Sequence, residues 1–316
     1  METAYILHEK CSVKREGEHI KLVRLGETIV TIPIDGVKTI VLYDSVNLTA
    51  PALDLLLNNG TDVIYQSKGG RIKGRILSPK NGGVIIRLAQ YSAFMDASRR
   101  LAIAKAIVAA KIRNQASVVK KYKYHDINNS FDPQLSAIDS YAKQVGAADS
   151  LDVVMGYEGV SAKYYWECFR LLLKNPVFTK REYRPSPDYV NALLNLGYAF
   201  LCIEVTSCLI AKQLDIEVGF LHSIHYGRNS LALDMMEELR ASFIDAWIIS
   251  LLNKNQLKAD HFHIINGDWR LTDDGFRKFC GLYHEWAPPW RDIFRTQADC
   301  MKKALIAGEL YEPYRA

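Results

Sequence analysis

Residues 76–95, ILSPKNGGVIIRLAQYSAFM, contain the change of pattern on which the fold is read. Up to Asn81-Gly82-Gly83 the chain runs in short β-branched segments separated by turn residues. From Arg87 onward the apolar residues recur at helical spacing, with Leu88, Tyr91, Met95, Leu101, Val108 and Ile112 predicted on one face. Strands and helices bury their apolar residues in different ways, so a domain boundary is expected between 80 and 90. The fold class is therefore α+β, with a β-rich, sandwich-like domain over 1–85 followed by an all-α domain over 86–316.

Toward the N-terminus, Val13 to Val23 is predicted to be a hairpin turning at Glu16-Gly17-Glu18. Ile29–Ile34 and Thr39–Tyr43 are predicted strands parted by Asp35-Gly36, and Thr61–Tyr65 is a further strand. One helix is expected among them, Thr49 to Asn59, with Thr49 as N-cap, Pro51 in its first turn and Gly60 past its end. Lys68 to Arg75 alternates cations with glycine, which suits either a ribbon offered to a phosphate backbone or a solvated hairpin tip.

Toward the C-terminus, Arg99, Arg100, Lys105, Lys111, Arg113, Lys120, Lys121 and Lys123 are spread among small apolar residues, predicting a helix with a core face and a solvated basic remainder. Asp126 to Ser136 is expected to be a loop. In KREYRPSPDYVN, residues 180–191, Pro185 and Pro187 forbid a continuous helix and leave Arg181 and Arg184 on a stiff connector, open to phosphate contact or to a salt bridge with Asp188. Asn191 to Ala211 is a buried helix rather than a membrane span, because Glu204 sits near the middle of its apolar run. His261 to Leu271 is a predicted strand pair turning at Asn266-Gly267, and helices follow to Gly308.

With 316 residues, 49% of them hydrophobic, and a formal net charge of +5, the chain can bury a sizeable core and tolerates a polyanionic partner without demanding one. Its six cysteines form no C-x-x-C pair, which argues against a zinc ribbon or a secreted disulfide framework. No signal peptide is read at the N-terminus, and a cytoplasmic location is expected. The anchors of serine hydrolases, P-loop NTPases and dinucleotide enzymes, G-x-S-x-G, G-x-x-x-x-G-K-[ST] and G-x-G-x-x-G, do not occur.

The chemistry is concentrated in GFLHSIHYGRNSLALDMMEELR (219–240), read together with GYEGVSAKYYWECF (156–169). Asp234 and Glu237 are three residues apart in a predicted helix and share a face beside apolar Leu233, Met235 and Met236, where unpaired charge is costly. His222 precedes that helix, and Glu158 is expected to open another, so these groups are candidates to converge on one divalent metal. An oxygen-rich set with one imidazole favours Mg²⁺ or Mn²⁺. Glu238 competes with Glu237, His225 competes with His222, and His261 with His263 is a weaker pair that an exposed polar edge explains as well.

Several segments together resemble the CRISPR-associated adaptation endonuclease and integrase, the first-numbered Cas protein, over nearly the whole chain. They are IDGVKTIVLYDSVNLTAPALDLLLNNGTDVIY, RLAQY followed by RLAIAKAIVAAKIRNQ, GYEGVSAKYYW, REYRPSPDYVNALLNLGY, GFLH, SLALDMMEELR and LTDDGFRKF. The resemblance implies a β-rich dimerisation domain and an all-helical, metal-dependent catalytic domain. It places the metal ligands on Glu158, His222 and Glu237, with Asp234 as a nearby acid, and so prefers Glu237 to Glu238. Arg181, Arg184, Tyr198 and Arg240 match family positions, the arginines as DNA-binding candidates. Ala241 stands where a proline often follows the EE-x-R run, which is expected to alter only the helix end. The implied reaction is insertion of short DNA fragments into a CRISPR array by attack of a 3′-hydroxyl on a phosphodiester. The implied partners are DNA, a second copy of the chain and the small second-numbered Cas protein, with no membrane. Arg71, Arg75, Arg99 and Arg113 are then candidates for backbone contact. A stand-alone metal-dependent nuclease and a non-catalytic DNA-binding scaffold are the alternatives.

Overall fold

A computed structural model describes residues 3–6, 10–43, 45–67, 72–79, 83–123, 131–174 and 177–316. β1 (Thr3–Ile6), β5 (Thr39–Tyr43), β7 (Asp62–Gln66) and β8 (Ile72–Ile76) form one four-stranded sheet in that order, and β4 (Glu27–Pro33), β3 (His19–Arg24), β2 (Ser12–Glu16) and β6 (Asn47–Leu48) form a second. The β2–β3 hairpin turns where predicted, with Gly17 at φ +60. β5 carries a continuous apolar run with Ile40, Val41 and Leu42 fully buried, as expected of a strand covered on both faces. Val13, Ile20 and Leu22 of the second sheet join Ile40, Leu42 and Val63 of the first and Leu55 and Leu56 of α1 (Ala50–Asn58) in one core cluster. Thr49 is the N-cap residue of α1, but its hydroxyl donates to Val13 O at 3.0 Å and makes no cap hydrogen bond.

By its contacts the chain divides into two compact units, 1–88 with 207–214, and 89–206 with 215–316. Among its described residues the second is helical apart from one hairpin. Its elements are α3 (Ala97–Lys123), α4 (Asp132–Ala147), α5 (Leu151–Leu172), most of α6 (Tyr189–Ala211), α7 (Ser230–Leu239), a π-helical segment (Arg240–Asp245), α8 (Ala246–Asn253), the hairpin of β9 (Phe262–Ile265) and β10 (Asp268–Leu271), α9 (Asp273–Trp286) and α10 (Pro288–Ala307). α3 runs through the middle of this unit, packed against α4, α5 and α7.

Several expectations need correction. The helix predicted from Arg87 is two helices, α2 (Val84–Met95) and α3, and the break is Asp96, whose Oδ1 accepts from Ser98 N at 2.9 Å and Arg99 N at 3.1 Å to cap α3. The apolar positions therefore do not share one face: Leu88, Tyr91 and Met95 are exposed, whereas Val108 and Ile112 are buried. Residues 132–136, expected in a loop, begin α4, while 126–130 lie outside the described residues, as do Lys68 to Arg71. Glu158 does not open a helix. It sits two turns into α5, which Ser150 caps by accepting from Val153 N.

α6 is long and apolar enough to cross a membrane by composition, yet most of that run is buried inside the protein and Glu204 is paired with Arg291 at 2.9 Å. Asp188 accepts from Asn191 N and Nδ2, at 2.7 and 2.9 Å, at the start of α6 rather than meeting an arginine. At Asn266-Gly267 both residues take positive φ, the geometry a two-residue hairpin turn requires.

Candidate active site

α3, α5 and α7 each contribute one charged side chain to a common point. Lys111 lies on α3 between fully buried Val108 and Ile112. An ammonium there needs counter-charge. Glu158 of α5 and Glu237 of α7 supply it: Lys111 Nζ donates to Glu158 Oε1 and lies 2.5 Å from Glu237 Oε2. On its other oxygen Glu237 meets Arg240 at 3.0 Å. Burial pushes the Glu237 carboxyl up, but the Arg240 guanidinium and the Lys111 ammonium together outweigh it and hold the group below the usual carboxylate range. Burial likewise works against charge on Lys111, and Glu237 and Glu158 more than reverse it.

Asp234, one turn before Glu237, is fully buried and faces the loop that precedes α7. Its Oδ2 accepts from Phe220 N at 2.5 Å and Leu221 N at 2.9 Å, and its Oδ1 accepts from His222 N at 2.9 Å. The His222 ring completes the set, with Nδ1 at 2.6 Å from Oδ1. A carboxylate already accepting three amide hydrogens can serve the ring only as acceptor, so Nδ1 carries the hydrogen and Nε2 is the lone-pair atom of the neutral ring. Gly219 is required at the start of this loop, because a Cβ there would fall 2.6 Å from Asp234 Oδ2 and 2.8 Å from the Ser230 carbonyl carbon. Asp234 is thus the residue that orients His222.

The competing candidates separate cleanly. Glu238 points away from Glu237 into a buried contact, where Tyr311 Oη lies 2.8 Å from Oε1 and Tyr314 N donates to Oε2 at 3.1 Å. It anchors the C-terminal tail. His225 is exposed. His261 lies in a short 3-10 turn beside Asp260, and His263 is exposed on β9. Among the described residues no group of three or more His, Cys, Asp or Glu side chains is arranged to hold a metal ion. The two glutamates are drawn together on Lys111, and His222 lies near Glu237 without completing such a group.

Among the arginines, Arg181 is engaged inside the unit, donating to Asn191 Oδ1 at 3.0 Å and Asn195 Oδ1 at 2.6 Å and stacking on Tyr183 at 4.7 Å. Arg240 stacks on Tyr198 at 4.8 Å, which fixes its fork against Glu237. Tyr198 and Tyr165 donate to opposite oxygens of Asp245, at 2.5 and 2.8 Å. Burial pushes Asp245 up to about 6 despite those two bonds. Arg240 and Asp245 open and close the π-helical segment, so the widened turn separates the residue that touches Glu237 from the one that grips the two tyrosines. With Ala241 in place of proline the chain continues through this segment into α8. Arg184, Arg75 and Arg113 are exposed. Arg184 also lines a cavity of about 390 Å³ with Asn195, Trp269, Arg270 and Phe276, and neither glutamate borders that cavity.

Sequence reasoning missed Lys111, which was grouped with a solvated basic face. The available signal was its position between Ile107, Val108 and Ile112, all apolar residues one turn or less away.

The carboxylate pair fits a hard divalent cation on the observation that two acids from separate helices already converge on one positive charge. The His222 lone pair at Nε2 adds a nitrogen donor of the kind such sites use.

Comparison with known proteins places the chain in a wider group. The family model described as CRISPR associated protein Cas1 matches residues 4–285. A "CRISPR-associated endonuclease Cas1 1" from Moorella thermoacetica is 31% identical over 90% of this chain and 85% of its own length. A "CRISPR-associated endonuclease Cas1 3" from Thermus thermophilus is 30% identical over 98% of this chain and 96% of its own. Among solved structures, a CAS1 protein from Thermotoga maritima superposes with a TM-score of 0.73 at 24% identity, covering all of both chains. A casposase bound to integration product gives a TM-score of 0.75 at 24% identity, and a chain of a partial Cas6-RT-Cas1–Cas2 complex gives 0.81 at 22%.

Proposed function

The chain belongs to the Cas1 family of CRISPR-associated proteins, and on that premise we propose that it is a metal-dependent DNA endonuclease and integrase. Its reaction joins short DNA fragments to a CRISPR array. The observation that carries this reading is the meeting of Glu158 and Glu237 on one cation beside a histidine whose tautomer is set by buried Asp234.

Glu158, Glu237 and His222 Nε2 would hold Mg²⁺ or Mn²⁺, which supplies Lewis-acid neutralisation of charge on the phosphate. The protein's own residues do the rest. Asp234 keeps the His222 ring in one orientation and one tautomer. Arg240, fixed by Tyr198, holds Glu237 from the side away from Lys111. In the joining step the 3′-hydroxyl oxygen of the fragment forms a bond to the phosphorus of the target strand. The bond from that phosphorus to the target 3′-oxygen breaks, the attacking hydroxyl gives up its proton, and the departing oxygen takes one up to leave as a new 3′-hydroxyl. Bonds are exchanged one for one, so no external energy source is needed. Hydrolysis is the same displacement with water as nucleophile.

The family reading also supports residues 1–85 as a dimerisation domain, residues 86–316 as the catalytic domain, and a cytoplasmic place of work beside the small second-numbered Cas protein. A chain of the partial Cas6-RT-Cas1–Cas2 complex shares this fold, which supports that partner. Exposed Arg184 is the best placed of the three arginine candidates for DNA, since Arg181 and Arg240 are committed within the protein. A second reading, a DNA-binding scaffold in which the acids serve only one another, is favoured by the Lys111 bridge.

The two separate in one experiment. Cleavage of plasmid and branched DNA is measured with Mn²⁺, with Mg²⁺ and with chelator, for wild type, Glu158→Ala and His222→Ala, each checked for DNA binding. Metal-dependent cleavage lost in both variants while binding persists supports the enzyme. Equal behaviour of all three proteins supports the scaffold.

A further inference from the structure

The oxygens best placed to receive a divalent cation are already in use. Lys111 Nζ bonds Glu158 Oε1 and sits 2.5 Å from Glu237 Oε2. Magnesium binds carboxylate oxygens at about 2.1 Å. An ion at that distance would need the same two oxygens that the ammonium already occupies, so the two cations compete for one place. From this geometry we infer that Lys111 is a tethered counter-ion which holds the Glu158–Glu237 pair in the metal-free protein and must swing out when the divalent cation enters.

This inference rests on the metal-site reading above and adds a residue which that reading does not use. Three features suit the exchange. Lys111 is carried by a well-buried stretch of α3, with Ile107, Val108 and Ile112 fully buried around it, so its backbone stays while its side chain moves. The lysine stem has four rotatable carbons and ends in a point charge, and it can leave without dragging other bonds. Arg240 lacks that freedom: its planar fork is stacked on Tyr198 and bound to the opposite oxygen of Glu237, so it stays when Lys111 departs.

Charge follows the same logic. With Lys111 seated, Lys111 and Arg240 balance Glu158 and Glu237. A divalent ion added to that neutral group would leave two uncompensated positive charges in a mostly buried place, and outward movement of the ammonium relieves the excess. The device keeps two adjacent carboxylates together when no metal is present, and it sets the metal affinity below that of the bare carboxylate pair.

The test is Mn²⁺ binding to the purified full-length protein, followed by electron paramagnetic resonance of free Mn²⁺ and by the rise in melting temperature on adding Mn²⁺. Wild type, Lys111→Met, Lys111→Gln and Glu158→Ala are compared. Lys111→Met should bind Mn²⁺ on the order of ten-fold tighter, equivalent to about 1.4 kcal/mol. It should melt lower than wild type without metal and gain more from Mn²⁺. A merely structural lysine would lower stability with no tightening.

Lys111→Gln leaves a donor for both oxygens and carries the test if Lys111→Met does not fold. If neither folds in chelator, folding restored by Mn²⁺ supports the exchange and failure to restore it overturns it. Affinity unchanged or weakened in a folded Lys111 variant, with wild type binding and Glu158→Ala not, overturns the counter-ion role alone. No binding by wild type or by the Lys111 variants overturns the metal site itself and the exchange with it.

Discussion

Glu238→Gln should flatten the dependence of stability on pH while leaving stability near pH 5 almost unchanged. Glu238 is fully buried, and burial pushes its carboxyl from 4.5 up to about 8 against the pull of Tyr311 and Tyr314. The local geometry agrees. Tyr311 Oη lies 2.8 Å from Glu238 Oε1 and 2.9 Å from Gln297 Oε1, and its one hydrogen cannot serve both oxygens. A protonated Glu238 resolves this by donating to Tyr311 while Tyr311 donates to Gln297. Glutamine reproduces the arrangement, its amide donating to Tyr311 and its carbonyl accepting from Tyr314 N. The folded pKa is raised, so the stabilisation is complete below about pH 4.5 and is lost as pH rises through about 8. Between pH 5 and pH 8 the unfolded carboxyl is ionised and the folded one mostly is not, a loss on the order of 3 kcal/mol. Urea unfolding of both proteins in chelator, near pH 5 and near pH 8, measures it. Wild type should lose about that much more than Glu238→Gln over the interval. Equal losses in the two proteins, or a variant several kcal/mol weaker near pH 5, would refute the argument.

Other perturbations follow from the same contacts. Asp234→Asn turns an amide N–H toward the His222 N–H groups, and should cost about 2–4 kcal/mol in denaturant melts while abolishing metal-dependent cleavage. Gly219→Ala forces a methyl into Asp234 Oδ2 and the Ser230 backbone, with an expected loss of about 1–3 kcal/mol and a fall in turnover larger than any fall in DNA affinity. Arg291→Ala leaves Glu204 buried within α6 without its partner and should destabilise by about 3 kcal/mol, most of which Glu204→Met in the same chain restores.

The parts of the fold legible in the sequence were those that local chemistry determines. The β2–β3 hairpin, the Asn266-Gly267 turn and the Gly308 end of α10 follow from residues that tolerate positive φ, and the change of period near residue 85 follows from how strands and helices bury apolar groups. What failed depended on neighbours distant in sequence. Leu88, Tyr91 and Met95 share the helical spacing of buried Val108 and Ile112, and although Asp96 is a residue type suited to an N-cap, nothing local says that the first group turns outward. Lys111 looks like any lysine of a basic helix until α5 and α7 bring Glu158 and Glu237 to it. The choice between Glu237 and Glu238 shows the same limit. Both lie within one turn of Asp234, and what separates them is that Lys111 waits on one side and Tyr311 on the other.

The most direct test of the central claim is a joining assay with a labelled duplex, a repeat-bearing supercoiled plasmid, Mn²⁺ or Mg²⁺, and the second-numbered Cas protein. Duplexes ending in a 3′-hydroxyl and in a 3′-deoxy terminus are compared, with wild type and with Glu158→Gln. The account expects label on the plasmid only from wild type with the 3′-hydroxyl duplex. Transfer by Glu158→Gln at the wild-type rate, or transfer from the 3′-deoxy duplex, would contradict it.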